Sequence, residues 1–133
     1  MSNEDNSSPK FRRTAAVLQV NSRTVKAMRD FFVERLGFEI GAEVGDGPKF
    51  VTLDRDGQTI MLECRRSFGF RKRGWAAYFW VDDIQKLREE FEQRGAKLKG
   101  QFVDKPYGCR EVVVIAPDGR EIVFGQRIVK PTA

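Results

Sequence analysis

Two spacings of apolar residues alternate along this chain, and the alternation occurs twice. Ala15-Ala16-Val17-Leu18-Gln19-Val20 and Ala76-Ala77-Tyr78-Phe79-Trp80-Val81 are short β-rich runs that read as strands. After each run the apolar positions fall at helical spacing. Val25, Met28, Phe31, Phe32 and Leu36 lie between Thr24 and Gly37, and Ile84, Leu87 and Phe91 lie between Asp83 and Gly95. Ser22 and Asp82 or Asp83 offer N-cap oxygens, and Gly37 and Gly95 suit left-handed C-terminal caps.

The repeat tightens further on. Residues Phe50 to Leu62 align without a gap against Val112 to Phe124, each with an Asp-Gly pair between two β-rich runs, a hairpin signal. One more strand is expected before each hairpin, at Phe38 to Val44 and at Lys97 to Val103. Each half therefore reads strand–helix–strand–strand–strand. The expected organisation is a disordered tail over 1–12 and one domain over 13–128, made of units at about 13–66 and 75–128, with a polar end after it.

With 133 residues the chain has the length of one domain with one core. No apolar stretch approaches bilayer-spanning length, and Met1 to Arg13 holds no secretory apolar region. The protein is expected to be cytoplasmic, with no membrane partner. Two cysteines, Cys64 and Cys109, make neither a disulfide framework nor a zinc motif and read as ordinary thiols.

The most restrictive count is histidine, which is zero. Catalytic triads that use an imidazole base are excluded, as is every metal site that needs an imidazole ligand. The net charge is +5, which raises the question of an acidic partner. Much of the excess lies in Arg65-Arg66 and Arg71-Lys72-Arg73, interleaved with Phe68 and Phe70. This stretch reads as a solvated loop between strands. It could also favour an anionic small ligand or, less readily, nucleic acid.

A duplicated strand–helix–three-strand unit resembles the glyoxalase/bleomycin-resistance/dioxygenase (vicinal-oxygen-chelate) superfamily. Three patterns carry the resemblance: Arg29-Asp30-Phe31-Phe32-Val33-Glu34-Arg35-Leu36-Gly37-Phe38, Trp80-Val81-Asp82-Asp83-Ile84, and Pro106-Tyr107-Gly108-Cys109-Arg110-Glu111 followed by Pro117-Asp118-Gly119. The resemblance implies an α+β fold of two tandem βαβββ units whose mixed sheets curve into a cup. Metal-dependent members place ligands on the first and last strand of each unit. The matching positions are Ala15, Ala76, Met61 and Val123, four apolar side chains that cannot hold a divalent cation. A slip of the Met61 placement would bring in Glu63, still a single carboxylate. No metal and no cofactor are expected.

A metal-free cup resembles the bleomycin-resistance members, which are dimers that sequester a drug. That likeness implies a homodimer with a small-molecule ligand, and ligand-binding positions at Phe38, Tyr78, Trp80, Tyr107 and Arg110. Tyr107 would stack on a planar ring, Phe38 would cross the pocket, and Tyr78 and Trp80 would form a wall with Ala76. The plainer readings are core packing for Phe38, sheet packing for Trp80, a half-buried loop ring for Tyr107, and an ion pair with Glu111 or Asp104 for Arg110. The excess positive charge departs from the drug-binding members and favours an aromatic or anionic compound over a cationic drug. No catalytic residue is assigned. The alternatives are a superfamily enzyme working through Glu63, Glu121, Tyr78 or Arg110, and a nucleic-acid module using the loop at 65–75.

Overall fold

A computed structural model describes residues 8–65 and 74–128. Its elements run β1 (Ala15–Val20), α1 (Val25–Glu34), β2 (Glu39–Val44), β3 (Phe50–Arg55), β4 (Gln58–Cys64), β5 (Trp75–Trp80), α2 (Ile84–Gln93), β6 (Val103–Asp104), β7 (Cys109–Ile115) and β8 (Glu121–Arg127). They form two four-stranded sheets of matching order, β1-β4-β3-β2 and β5-β8-β7-β6. In each sheet the first strand is parallel to the last and the other pairs are antiparallel. The fold is α+β, a tandem of two βαβββ units.

Local chemistry explains most boundaries. Asp56 and Gly57 both have positive φ, 50° and 78°, the conformation that a two-residue hairpin needs. The second hairpin is wider, because Pro117-Asp118-Gly119 separates β7 from β8 by five residues. Asp83 caps α2, its Oδ1 accepting from the Lys86 amide at 3.0 Å. Ser22 does not cap α1. Asn21 Oδ1 instead accepts from the amides of Arg23 and Thr24 at 2.9 and 3.1 Å, the turn that an Asx side chain favours. The strand expected at Lys97 to Val103 shrinks to Val103–Asp104. Gly100 at φ +73° breaks the extended run, yet Lys99 and Lys97 still bond to β7 through Val113 and Ile115.

One core serves both units. Val25, Met28 and Phe32 of α1 meet Leu18, Val51, Leu53, Ile60 and Leu62, while Ile84 and Phe91 of α2 meet Val112, Val114, Ile122 and Phe124. Four rings join the halves: Phe38 to Phe79 at 5.8 Å, Phe79 stacked on Phe124 at 5.3 Å, and Phe124 to Phe91 at 4.9 Å. A polar latch lies beside them. Arg55 of β3 donates to both oxygens of Glu90 on α2, at 2.8 and 2.9 Å, and Arg94 also donates to Glu90, at 2.7 Å. Arg35 reaches the Arg94 carbonyl at 2.6 Å, and Arg120 of the second unit reaches the Gln19 carbonyl of the first at 2.9 Å. Among the described residues no helix is long and apolar enough to cross a membrane.

Candidate functional site

Strand alternation gives each sheet one face toward its helix and one face away from it. On β7 and β8 the helix face carries Val112, Val114, Ile122 and Phe124. The opposite, open face carries Cys109, Glu111, Val113, Val123 and Gly125, through the pairs Glu111–Gly125 and Val113–Val123. Tyr78 pairs with Val123 and Trp80 with Gly125, so both belong to this open face. A register shift between Trp75 and Ala77 moves Trp75 from the face that strict alternation assigns it. Its ring lies 5.5 Å from Tyr78, and Tyr78 lies 5.0 Å from Trp80.

The middle ring, Tyr78, touches a buried carboxylate. Glu111 is 1% exposed. The Tyr78 hydroxyl donates to Glu111 Oε2 at 2.9 Å, and the Tyr107 hydroxyl donates to the same oxygen. Oε1 is buried and has no hydrogen-bond partner among the described residues. To reach Glu111 on β7, the Tyr78 phenol crosses β8 at Gly125, where a β-carbon would lie 1.8 Å from Tyr78 Oη. Only a residue without a side chain leaves that path open. Burial, and then the hydrogen bond to Glu111, raise both phenols above the usual tyrosine value, Tyr107 to about 12 and Tyr78 further. Both remain neutral donors across the physiological range. Trp75, Trp80 and Tyr107 are exposed at 53%, 61% and 44%, and the Arg127 guanidinium lies 5.4 Å from the Trp80 ring centre.

The structure therefore brings together three of the five expected residues, Tyr78, Trp80 and Tyr107. It sets the other two apart from the two phenols. Phe38 is 4% exposed and is core, edge-to-face with Phe32 and Phe79. It lies between α1 and β2, and its amide bonds back to the Phe32 carbonyl at 2.9 Å, which holds the ring against the helix. Arg110 neighbours Glu111 in sequence and so points to the other face, where it is bidentate to Asp104 at 2.7 and 3.1 Å and lies over Phe102. Glu111 and Gly125 were missed. Period-two alternation from Cys109, set against Val123 and Tyr78, is the signal that assigns them to this face.

Other expected groups are engaged elsewhere. Glu63 accepts from Arg65 at 3.2 Å, and Glu121 pairs with Lys99 at 2.6 Å. Arg66, Phe68, Phe70 and Arg71 to Arg73 lie outside the described residues, and the anionic-ligand and nucleic-acid readings rested on them. Between the units, a cleft of about 650 Å³ is lined by Phe38, Arg55, Trp80, Lys86 and Glu90 among others. It shares Trp80 with the ring cluster, but not Tyr78, Tyr107 or Glu111.

The family match covers residues 14–124. The chain belongs to the glyoxalase/bleomycin resistance protein/dioxygenase superfamily. No curated protein matches it. Among solved structures of this superfamily's fold, TnmS3, an antibiotic binding protein from Streptomyces sp. CB03234, is 21% identical with a TM-score of 0.65, over 90% of this chain and 97% of that one. TioX from Micromonospora sp. ML1 is 19% identical with a TM-score of 0.65, over 87% and 100%. Lactoylglutathione lyase from Agrobacterium tumefaciens is 17% identical with a TM-score of 0.68, over 90% and 96%. Likeness at this level establishes the fold alone.

The superfamily's metal needs donors that these positions do not supply. Val17 pairs with Met61 and Tyr78 with Val123, so the last-strand positions lie on the open faces as the repeat implies, but both are apolar. Ala15 and Ala76 bring no donor either. Among the described residues no three His, Cys, Asp or Glu side chains gather as a metal site.

Proposed function

We propose that this chain is a metal-independent, cytoplasmic, homodimeric protein that holds a planar aromatic small molecule on the open face of its second sheet without transforming it. The observation that carries the reading is that Tyr78 and Tyr107 meet on one buried carboxylate while Trp75 and Trp80 pack against Tyr78, on a face no helix covers. Large rings with a few converging polar groups are the common make-up of a small-molecule site. The superfamily's fold is compatible with such a role, since TnmS3 is described as an antibiotic binding protein. The homodimer is supported by large apolar side chains left open on both sheets, among them Val17, Val44, Trp75 and Trp80, each more than half exposed; a second copy would remove that apolar surface from water.

Ring contacts supply about 0.5–1.5 kcal/mol each beyond area burial, so an aromatic fragment is expected to bind at micromolar to millimolar concentration. The test is a fragment titration followed by tryptophan fluorescence and calorimetry. Trp80→Ala and Tyr107→Ala should each weaken binding about tenfold, the equivalent of one ring contact. Saturable binding that ignores both substitutions would overturn the reading and direct attention to the cleft between the units. Light scattering that gives a monomer at tens of micromolar protein would remove the dimer.

A further inference from the structure

We propose that Glu111 is the polar anchor of this face and selects an aromatic ligand carrying a protonated nitrogen, an ammonium or amidinium group that bonds to the free carboxylate oxygen. The inference rests on the reading above and assigns the charge of the ligand, reversing the preference for an anion that the net charge of +5 suggested.

Three observations carry it. The first is the uneven use of the carboxylate: both phenols donate to Oε2, while Oε1 is buried without a partner among the described residues. A buried polar atom in that condition is rare in folded proteins and calls for a donor. The second is the absence of counter-charge. The two donors are neutral phenols, and no cation among the described residues pairs with Glu111. A buried carboxylate with hydrogen bonds but no ion partner is electrostatically incomplete, and an incoming cation completes it. The third is the wall. Trp75 and Trp80 flank the Tyr78 ring at 5.5 and 5.0 Å, Tyr78 itself bonds to the carboxylate, and ring faces attract cations. Trp80 already does so, with Arg127 over it at 5.4 Å.

The geometry also assigns a way in. Tyr107 is 44% exposed and sits on the short turn closed by the Gly108 amide on the Lys105 carbonyl at 2.9 Å. Tyr78 is pinned across β8 at Gly125. Of the two phenols on Glu111, Tyr107 is the more exposed, so the carboxylate is approached from its side.

The experiment uses one ring with three charges: tryptamine as the cation, tryptophol as the neutral analogue and indole-3-propionate as the anion. Each is titrated into the full chain at pH 7 by calorimetry and ligand-observed NMR. Tryptamine should bind at least tenfold tighter than tryptophol, and indole-3-propionate should bind weakest. Glu111→Gln keeps the shape of the side chain and should bring tryptamine to within about twofold of tryptophol. Tyr107→Phe gives up one claim on the carboxylate and should keep or enlarge the preference for tryptamine. If Glu111→Gln fails to fold, the Cδ carbon shift of Glu111 in the labelled wild-type chain should move with tryptamine and not with tryptophol. Equal binding of all three probes would overturn the anchor and leave the aromatic site standing. Binding of none at millimolar concentration would overturn both. Loss of the preference in Tyr107→Phe would assign it to the Tyr107 hydroxyl and overturn the role of Glu111.

Discussion

Gly125 lies directly beneath the phenol of Tyr78, so closely that a β-carbon there would stand 1.8 Å from Oη and 2.5 Å from Cζ. One atom on β8 would therefore close the route by which β5 reaches β7. Gly125→Ala should push the Tyr78 hydroxyl off Glu111 and cost about 1–3 kcal/mol, the usual range for overpacking. Tyr78→Phe alone should cost about 1 kcal/mol. In the Gly125→Ala background it should cost much less, because the bond is already lost. Urea denaturation of the four chains in this cycle checks the coupling, and strict additivity would contradict the geometry.

Tyr78 and Tyr107 are the only two tyrosines in the chain, so absorbance at 295 nm reads both phenols without interference from other tyrosines. Neither should ionise near pH 10, and the first should do so near 12. The folded values are raised, so this stabilisation is fully present below pH 10 and is lost as pH rises toward and through 12. The Tyr78→Phe/Tyr107→Phe chain should lose less stability than wild type across that window. A tyrosine titrating near pH 10 in the folded protein would contradict the double contact with Glu111.

Glu90 behaves in the opposite sense. The Arg55 guanidinium, and after it Arg94, hold its carboxyl below the usual carboxylate value against the opposing effect of burial. A lowered folded value gives stability that is present above the unfolded value and is lost as pH falls through the folded one. Glu90→Gln should cost about 1–2 kcal/mol at pH 7. The difference from wild type should shrink below pH 4.5, the ordinary value for a glutamate carboxyl, and vanish in stronger acid. Paired thermal melts from pH 7 to pH 2 check this.

Phe38 and Arg110 should separate stability from binding. Phe38→Ala empties a core position shared by both units and should cost about 3–5 kcal/mol. Arg110→Ala breaks an exposed, solvent-screened pair with Asp104 and should leave stability nearly unchanged, with aromatic binding unchanged within about twofold. A tenfold loss of binding in Arg110→Ala would place that residue in the site.

Ala15, Met61, Ala76 and Val123 bring no donor, so purified protein should carry no stoichiometric transition metal. Elemental analysis that finds one metal per chain, released on mutating Glu63, would contradict the assignment.

The sequence made the architecture legible because duplication writes each element twice. The Asp-Gly hairpins and the glycines at Gly37 and Gly95 would be weak signals singly, but their order repeats. Phe38 precedes β2, where no periodicity says which way a ring points, so the sequence left core packing and a ligand contact both open; the ring packs on Phe32 and Phe79. The sequence offered Glu111 or Asp104 as the partner of Arg110, and strand geometry selects Asp104, because neighbours on a strand point to opposite faces. Gly125 could not be read at all without its neighbour, since the need for it arises from a side chain on another strand.

The duplication also has lapsed where it would matter most. By the offset of 62 that aligns Leu62 with Phe124, Glu111 corresponds to Lys49 and Gly125 to Glu63, so the carboxylate and the crossing point occur in the later half alone. A scan of all substitutions against binding should then be lopsided. Tolerance on the outward positions of residues 15–64 would contrast with intolerance at a handful between 75 and 127. The earlier half keeps the scaffold, and is free to drift toward a second specificity while the first is held.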